Sequence, residues 1–308
     1  MERVKKKSRK NKYGGLQGHL LQYFPREIVK YIDDKLTDLD KFVARIAWIP
    51  SFERLLPMQL GFFKECAEQG HLNLIKWASE KTPYWKRKWG EDIFVGAASK
   101  GRLNILDWAT TNGCAGYNMI FSKAAFHGRV DVLEWAKGVR RSWSEQTCTH
   151  AAEGGHLEVL VWLRENGCPW NSNTCTHAAR YGHLHVLKWA IQNGCPHPKR
   201  MCMYRAAEAG QLEIIKYYHN EAVIPINHPG ICAAAAAGGQ MSTLIWLREH
   251  GYQWDEVTCR NATKIGHFEM LRWARQNGCP WDTRTFDAAF NAGRLDIVQW
   301  LRENNCPE

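Results

Sequence analysis

Residues 147–170 read TCTHAAEGGHLEVLVWLRENGCPW. Cys148, Ala151 and Ala152 are three and four residues apart, one face of a short helix, and Thr147 stands where an N-cap belongs. Gly155 predicts a break. Leu157, Val159, Leu160, Trp162 and Leu163 then recur at helical spacing, with Glu158, Val161 and Arg164 mostly on the other side. This second helix is expected to end at Asn166-Gly167, where glycine takes the left-handed terminal conformation, and Pro169 forbids its continuation. The stretch therefore reads as helix, turn, helix, short loop. One such pair cannot bury its own apolar face and must stack on others.

The same reading extends outward in both directions. A glycine followed by a polar and then an apolar residue recurs at Gly70, Gly101, Gly128, Gly155, Gly182, Gly210, Gly239, Gly266 and Gly293, in steps of 27 to 31 residues and mostly 27. Seven residues after each comes an aromatic: Trp77, Trp108, Trp135, Trp162, Trp189, Tyr217, Trp246, Trp273 and Trp300. Cysteine recurs thirteen after the glycine (Cys114, Cys168, Cys195, Cys279, Cys306), and tryptophan fifteen after (Trp85, Trp143, Trp170, Trp254, Trp281). Alanine pairs such as Ala151-Ala152 and Ala178-Ala179 precede it. The fold class expected is all-α, a helical-hairpin solenoid of about nine short repeats over residues 58–308. Small residues on the first helices let them approach closely, and the tryptophan at offset seven is expected to fill the core between repeats. His71, His156, His183 and His267 read as polar groups that stabilise the turns.

Composition narrows the function. The net charge is +10, from 41 Lys plus Arg against 31 Asp plus Glu. Residues 1–12 hold Arg3, Lys5, Lys6, Lys7, Arg9, Lys10 and Lys12 against Glu2 alone, so the remainder is close to neutral and lacks the charge of a nucleic-acid-binding body. The basic run, within a tail spanning 1–19, has three readings: a nuclear localisation signal, an anchor for nucleic acid, or a solvated tail. No stretch is long and apolar enough for a membrane span, and no apolar core of a signal peptide follows the basic start. An intracellular location is expected, in cytoplasm or nucleus, with no membrane partner. Eleven cysteines with no C-x-x-C pair argue against a disulfide framework or a zinc ribbon. Cys148-Thr149-His150 and Cys175-Thr176-His177 recur at the repeat period, which spreads ligands along the stack instead of converging them on one ion. No phosphate loop, nucleophile elbow or H-E-x-x-H motif is present. The expectation is no enzyme activity, no catalytic or metal residue and no cofactor. An unrecognised thiol or metal enzyme is the alternative.

Ala151-Ala152-Glu153-Gly154-Gly155-His156-Leu157-Glu158-Val159-Leu160 resembles the A-A-x-x-G-H-x-x-V-V core of the ankyrin repeat, and Gly167 falls where that family also carries glycine. The resemblance recurs over residues 58–308. It departs from the family in its 27-residue period against 33, which implies that the projecting hairpin fingers are short or absent. Trp also replaces the usual Leu on the second helix. The pattern is similar to the divergent, Trp-rich arrays of large DNA viruses of protists and of some protists. In ankyrin-like arrays the exposed positions of the first helices line the concave face, which implies a partner-binding strip here. Its residues are Lys123, Phe126 and His127; His150 and Glu153; His177, Arg180 and Tyr181; Tyr204, Arg205 and Glu208; Arg260, Asn261 and Lys264; and Asp287 and Asn291. The partner implied is a protein, since aromatic and Arg side chains suit such a surface.

Residues 20–57 do not fit the repeat. Phe24-Pro25-Arg26-Glu27-Ile28, continued by Ile32, Leu36 and Leu39, gives a proline-started helical pattern that resembles the opening of an F-box. That family presents such helices to the adaptor subunit of a cullin ubiquitin ligase. The competing reading is a helical cap over the apolar end of the array.

Overall fold

In a computed structural model, residues 61–81, 90–116, 119–139, 143–221, 225 and 227–308 are described. The tail and the segment 20–57, with its F-box-like Phe24, Pro25, Ile28, Ile32, Leu36 and Leu39, lie outside the described residues. Among the described residues there are eighteen α-helices and no strand. They run in pairs: α1 (Phe62–Gln69) and α2 (Leu72–Lys81), α3 (Gly90–Lys100) and α4 (Leu103–Thr111), α5 (Ile120–Phe126) and α6 (Val130–Gly138). There follow α7 (Glu145–Glu153) and α8 (Leu157–Glu165), α9 (Ser172–Arg180) and α10 (Leu184–Gln192), α11 (Lys199–Ala209) and α12 (Leu212–Asn220). The last three pairs are α13 (Gly230–Ala237) and α14 (Met241–Glu249), α15 (Glu256–Lys264) and α16 (Phe268–Gln276), α17 (Thr283–Asn291) and α18 (Leu295–Glu303). Each pair turns at one of the nine repeat glycines, all with φ between +65° and +86°.

The described residues fall into two compact units: those up to Ala124 with those in 131–141, and Ala125–Val130 with those in 142–308. In the first unit α3 lies so close against α1 that a Cβ on Gly96 would sit 2.3 Å from the Lys64 carbonyl oxygen. Phe62, Phe63, Leu74, Ile75, Ile93, Phe94, Ile105 and Leu106 form its core.

In the second unit the first helices α7, α9, α11, α13, α15 and α17 pack successively on one another, each with its own second helix folded against it. Alanine makes this approach possible: Ala151, Ala152, Ala178, Ala179, Ala206, Ala207, Ala235 and Ala236 are fully buried. A Cβ on Gly238 would meet the Glu208 carbonyl oxygen at 1.7 Å, so no larger residue fits there without moving a helix. The second helices supply the bulk through Val159, Leu160 and Leu163 of α8, then Val186, Leu187 and Ala190 of α10, and their counterparts further along. Hairpins stacked in this way form a helical solenoid.

Three local readings change. Thr147 is not the N-cap: α7 begins two residues earlier, and Ser144 caps it while the Thr147 hydroxyl accepts the Ser144 N–H at 3.4 Å. The same reciprocal box closes α17, where Thr285 N–H donates to Asp282 Oδ1 at 3.2 Å. The offset-seven tryptophans are not core either. Trp162, Trp189, Trp273 and Trp300 are half-buried at the seams, and each meets edge-on the offset-fifteen indole of the preceding repeat, Trp143, Trp170, Trp254 and Trp281, with ring centroids 5.8 to 5.9 Å apart. An arginine underlies three of these indoles, Arg164 on Trp170, Arg248 on Trp254 and Arg275 on Trp281, at 4.1 to 4.2 Å.

The third change concerns the turn histidines His156, His183 and His267, which lie against the turn of the preceding hairpin. His183 Nε2 bonds the carbonyl oxygen of Glu153 in the preceding hairpin at 3.0 Å, and Arg102 reaches the Glu68 carbonyl from the same position in the first unit at 3.2 Å. Burial pushes the His183 pKa down, against the opposing pull of its bond to Glu153.

Candidate partner-binding strip

Helix α9 starts at Ser172 because Asn171 caps it, its Oδ1 accepting from Asn173 N–H at 2.9 Å. That start places Thr174, Cys175, Ala178 and Ala179 inward, and leaves Asn173 and Arg180 exposed and His177 half-buried. Helix α11 follows Pro198 and runs to Ala209. Its inward face is Cys202, Met203, Ala206 and Ala207, which leaves Met201 and Arg205 exposed.

Between these two helices lies a groove of about 360 Å³ lined by Ser172, Asn173, Thr176, His177, Arg180, Pro198, Met201 and Arg205. It brings together three of the strip residues expected from sequence, His177, Arg180 and Arg205. No carboxylate lines it. The acids nearby are engaged elsewhere: Glu153 stands 3.7 Å from His177 Nδ1 and accepts from the Tyr181 hydroxyl, whose pKa it thereby raises, and Glu208 pairs with Arg205 at 2.9 Å. Arg180 has no ion-pair partner among the described residues. His177 Nδ1 is buried without a hydrogen bond, and burial pushes the imidazole pKa down, against the pull of Glu153 and helped by Arg180, His150 and Arg205.

The other expected strip residues are all half-buried or exposed. Lys123 belongs to the first unit. In the second, Phe126 and His127 meet edge-on, with ring centroids 5.0 Å apart, and His150 Nδ1 bonds the Gln146 carbonyl at 2.6 Å. Tyr204 bonds His228 at 3.1 Å, in contact with Arg200, and Asn261 donates to the Ala233 carbonyl at 2.9 Å, so these two side chains tie one hairpin to the next. Arg260, Lys264, Asp287 and Asn291, on α15 and α17, lie outside the groove. Sequence reasoning missed Met201 and Pro198. Met201 stands one turn before Arg205 and is 46% exposed, which the sequence did not signal.

The cysteines serve packing. All eleven are buried and unbridged. Burial pushes the thiols of Cys66 and Cys232 up to about 12 and those of Cys202 and Cys306 up to about 11, the wrong direction for a nucleophile. In three hairpins the first-helix thiol interacts with the loop thiol, Cys148 with Cys168, Cys175 with Cys195 and Cys259 with Cys279, which raises the pKa of the first-helix thiol and, in the first two, lowers that of the loop thiol. Each loop thiol also donates back to the carbonyl that starts its own hairpin, Cys168 to Ser144 at 3.5 Å and Cys195 to Asn171 at 3.4 Å. No group of three or more His, Cys, Asp or Glu side chains suited to a metal ion occurs among the described residues.

Residues 148–191 match the family model of ankyrin repeats, many copies. The matched stretch is the two hairpins α7 to α10, including His177 and Arg180 of the groove. Among solved structures, the crystal structure of the human ASB11 ankyrin repeat domain is similar at 17% identity, over 52% of this chain and 84% of that one, with a TM-score of 0.40. No curated protein matches the chain.

Proposed function

We propose that this chain is a non-catalytic protein-interaction scaffold, and that the exposed first-helix strip of its second unit holds the partner. One observation carries the reading: equivalent positions repeat in geometry and differ in chemistry. Two residues before the repeat glycine stand Phe126, Glu153, Arg180, Glu208, Ala237, Lys264 and Asn291. One residue earlier the small buried side chains needed for stacking recur as Ala125, Ala152, Ala179, Ala207, Ala236 and Thr263, and the last repeat alone departs, with an exposed Phe290. A surface that varies on a constant frame suits recognition of one extended partner, whereas catalysis needs groups converging on one point. The test is proximity labelling in the native cell with two charge-reversed variants. Reversing Arg180, Arg205 and Lys264 together is expected to lose the labelled partners, and reversing Glu269 and Arg272 on the second-helix side to keep them. Equal labelling by both variants overturns the strip.

We further read residues 20–57 as an F-box-like segment that delivers the bound partner to a cullin ubiquitin ligase. The Phe24-Pro25-Arg26-Glu27-Ile28 opening supports it. Replacing Pro25 and Ile28 with aspartate is expected to abolish capture by the ligase adaptor, and undiminished capture removes the reading.

A further inference from the structure

We propose that the groove between α9 and α11 is a subsite for an acidic peptide side chain, a partner Asp or Glu held between Arg180 and Arg205 with a neighbouring aliphatic side chain on Met201 and Pro198. This deepens the scaffold reading and rests on it.

Charge complementarity comes first. The lining offers two guanidinium groups and an imidazole with no acid among them. The ionisable groups that face it are His150 and Glu153 from α7, His177 and Arg180 from α9, and Arg205 and Glu208 from α11. Glu153 is occupied by Tyr181 and His177. Arg205 and Glu208 form an exposed i,i+3 pair, 44% and 37% accessible, and such pairs are weak enough to exchange for a better acceptor. Arg180 has no ion pair among the described residues. Two guanidinium groups converging on one concave surface are the arrangement that grips a carboxylate with planar, paired hydrogen bonds.

The groove's size and walls select the rest of the ligand. A volume of about 360 Å³ accepts two side chains and is at the small end of ligand pockets. Met201 adds a flexible, polarisable thioether that adapts to aliphatic partners, and Pro198 adds a rigid apolar wall. The α9 N-terminus is not the anion site, because Asn171 already accepts from it. No Phe, Tyr or Trp lines the groove, so it lacks the large aromatic platform on which successive nucleobases stack.

An array of nine-residue peptides with a central Leu-Glu and randomised flanks, beside the same set with Leu-Gln, is probed with the full chain. The tightest peptide is then titrated by fluorescence anisotropy against the native protein, Arg180→Gln, Arg205→Gln, Met201→Ser and, away from the strip, Arg272→Gln. Preference for the Leu-Glu set, about tenfold weaker binding or more for each of Arg180→Gln and Arg205→Gln, a smaller loss for Met201→Ser and none for Arg272→Gln would support the subsite. Equal binding of both sets, or affinity indifferent to Arg180 and Arg205, overturns it and leaves the scaffold reading standing. Oligo-dT that competes as well as the peptide also overturns it, since a generic basic patch would then suffice. If no peptide binds, the subsite falls, and proximity labelling decides the scaffold separately. Both arginines are exposed, and thermal unfolding of each variant verifies that the fold is intact.

Discussion

The hairpin α7–α8 of the second unit has two turns of nearly the same backbone, and they tolerate very different side chains. At the inner turn Gly155 has φ +75°, and a Cβ there would lie 2.5 Å from the His183 ring of the next hairpin. At the outer turn Gly167 has φ +78° and nothing within 4 Å of the same position. The inner position is glycine in all nine repeats, whereas the outer one is Thr82, Arg140, Ala222 and Asn305 in four of them, Asn305 at φ 58°. Left-handed backbone alone leaves room for asparagine; left-handed backbone pressed by a neighbour leaves glycine only. Contact from the next hairpin accompanies the inner glycine at Gly128, Gly155, Gly182, Gly210, Gly239 and Gly266, whereas Gly293 of the last hairpin has nothing within 4 Å and keeps glycine on backbone conformation alone.

That distinction can be broken directly. Gly155→Ala combines backbone strain with overpacking against His183 and is expected to cost about 2–4 kcal/mol of unfolding free energy. Gly167→Ala incurs the strain alone, about 1–2 kcal/mol, and Gly167→Asn less. Denaturant unfolding of the three variants measures the difference. Equal costs at the two turns would mean that the neighbouring hairpin does not press on Gly155.

The outer turn is held from the side instead. Arg275 Nη1 donates to the Cys279 carbonyl at 3.2 Å while its guanidinium lies 4.2 Å over Trp281, which in turn abuts Trp300. Lysine cannot both stack as a plane and bond the carbonyl, so Arg275→Lys is expected to cost about 1–2 kcal/mol. Trp281→Leu keeps apolar area and loses the edge-on contact, for about 0.5–1.5 kcal/mol. A double-mutant cycle between the two positions reports their coupling, and simple additivity would show that arginine and indole act independently.

Most of this frame could be read from the sequence because its signals are local and periodic. The nine glycines, the alanine pairs and the apolar spacing of the second helices each act within a few residues. The misread parts depend on which face meets which neighbour. Trp162 and Leu163 are both apolar, and only the packing shows that Leu163 enters the core while Trp162 stays at the seam. His183 read as a group serving its own turn because its acceptor, the Glu153 carbonyl, is 30 residues away. In the groove, His177, Arg180 and Arg205 were legible as exposed helix positions. Met201 was not, since a methionine beside Cys202 and Met203 reads as core until the start of α11 at Lys199 sets its rotation. The F-box-like residues lie outside the described part of the chain.

The smallest expected effect concerns pH and again contrasts the inner turn with itself. Gln211 and Gln240 occupy the place of His183 in later hairpins and bond carbonyls of their own turns, Gln240 to Gly238 at 2.8 Å, without titrating. His183 does titrate, and burial depresses its folded pKa below the ordinary 6.5. Protonation thus favours the unfolded chain: the stabilising share of His183 is whole above pH 6.5 and is lost as pH falls from there through the depressed folded value. Between pH 7.5 and 5.5 the melting temperature of the native protein is expected to fall further than that of His183→Gln, by on the order of one or two degrees. His177, also depressed by burial, is present in both proteins and cancels from the difference. Parallel curves for the two proteins would mean that the His183 ring is as well solvated folded as unfolded, and then it cannot be packed over Gly155 as the inner turn requires.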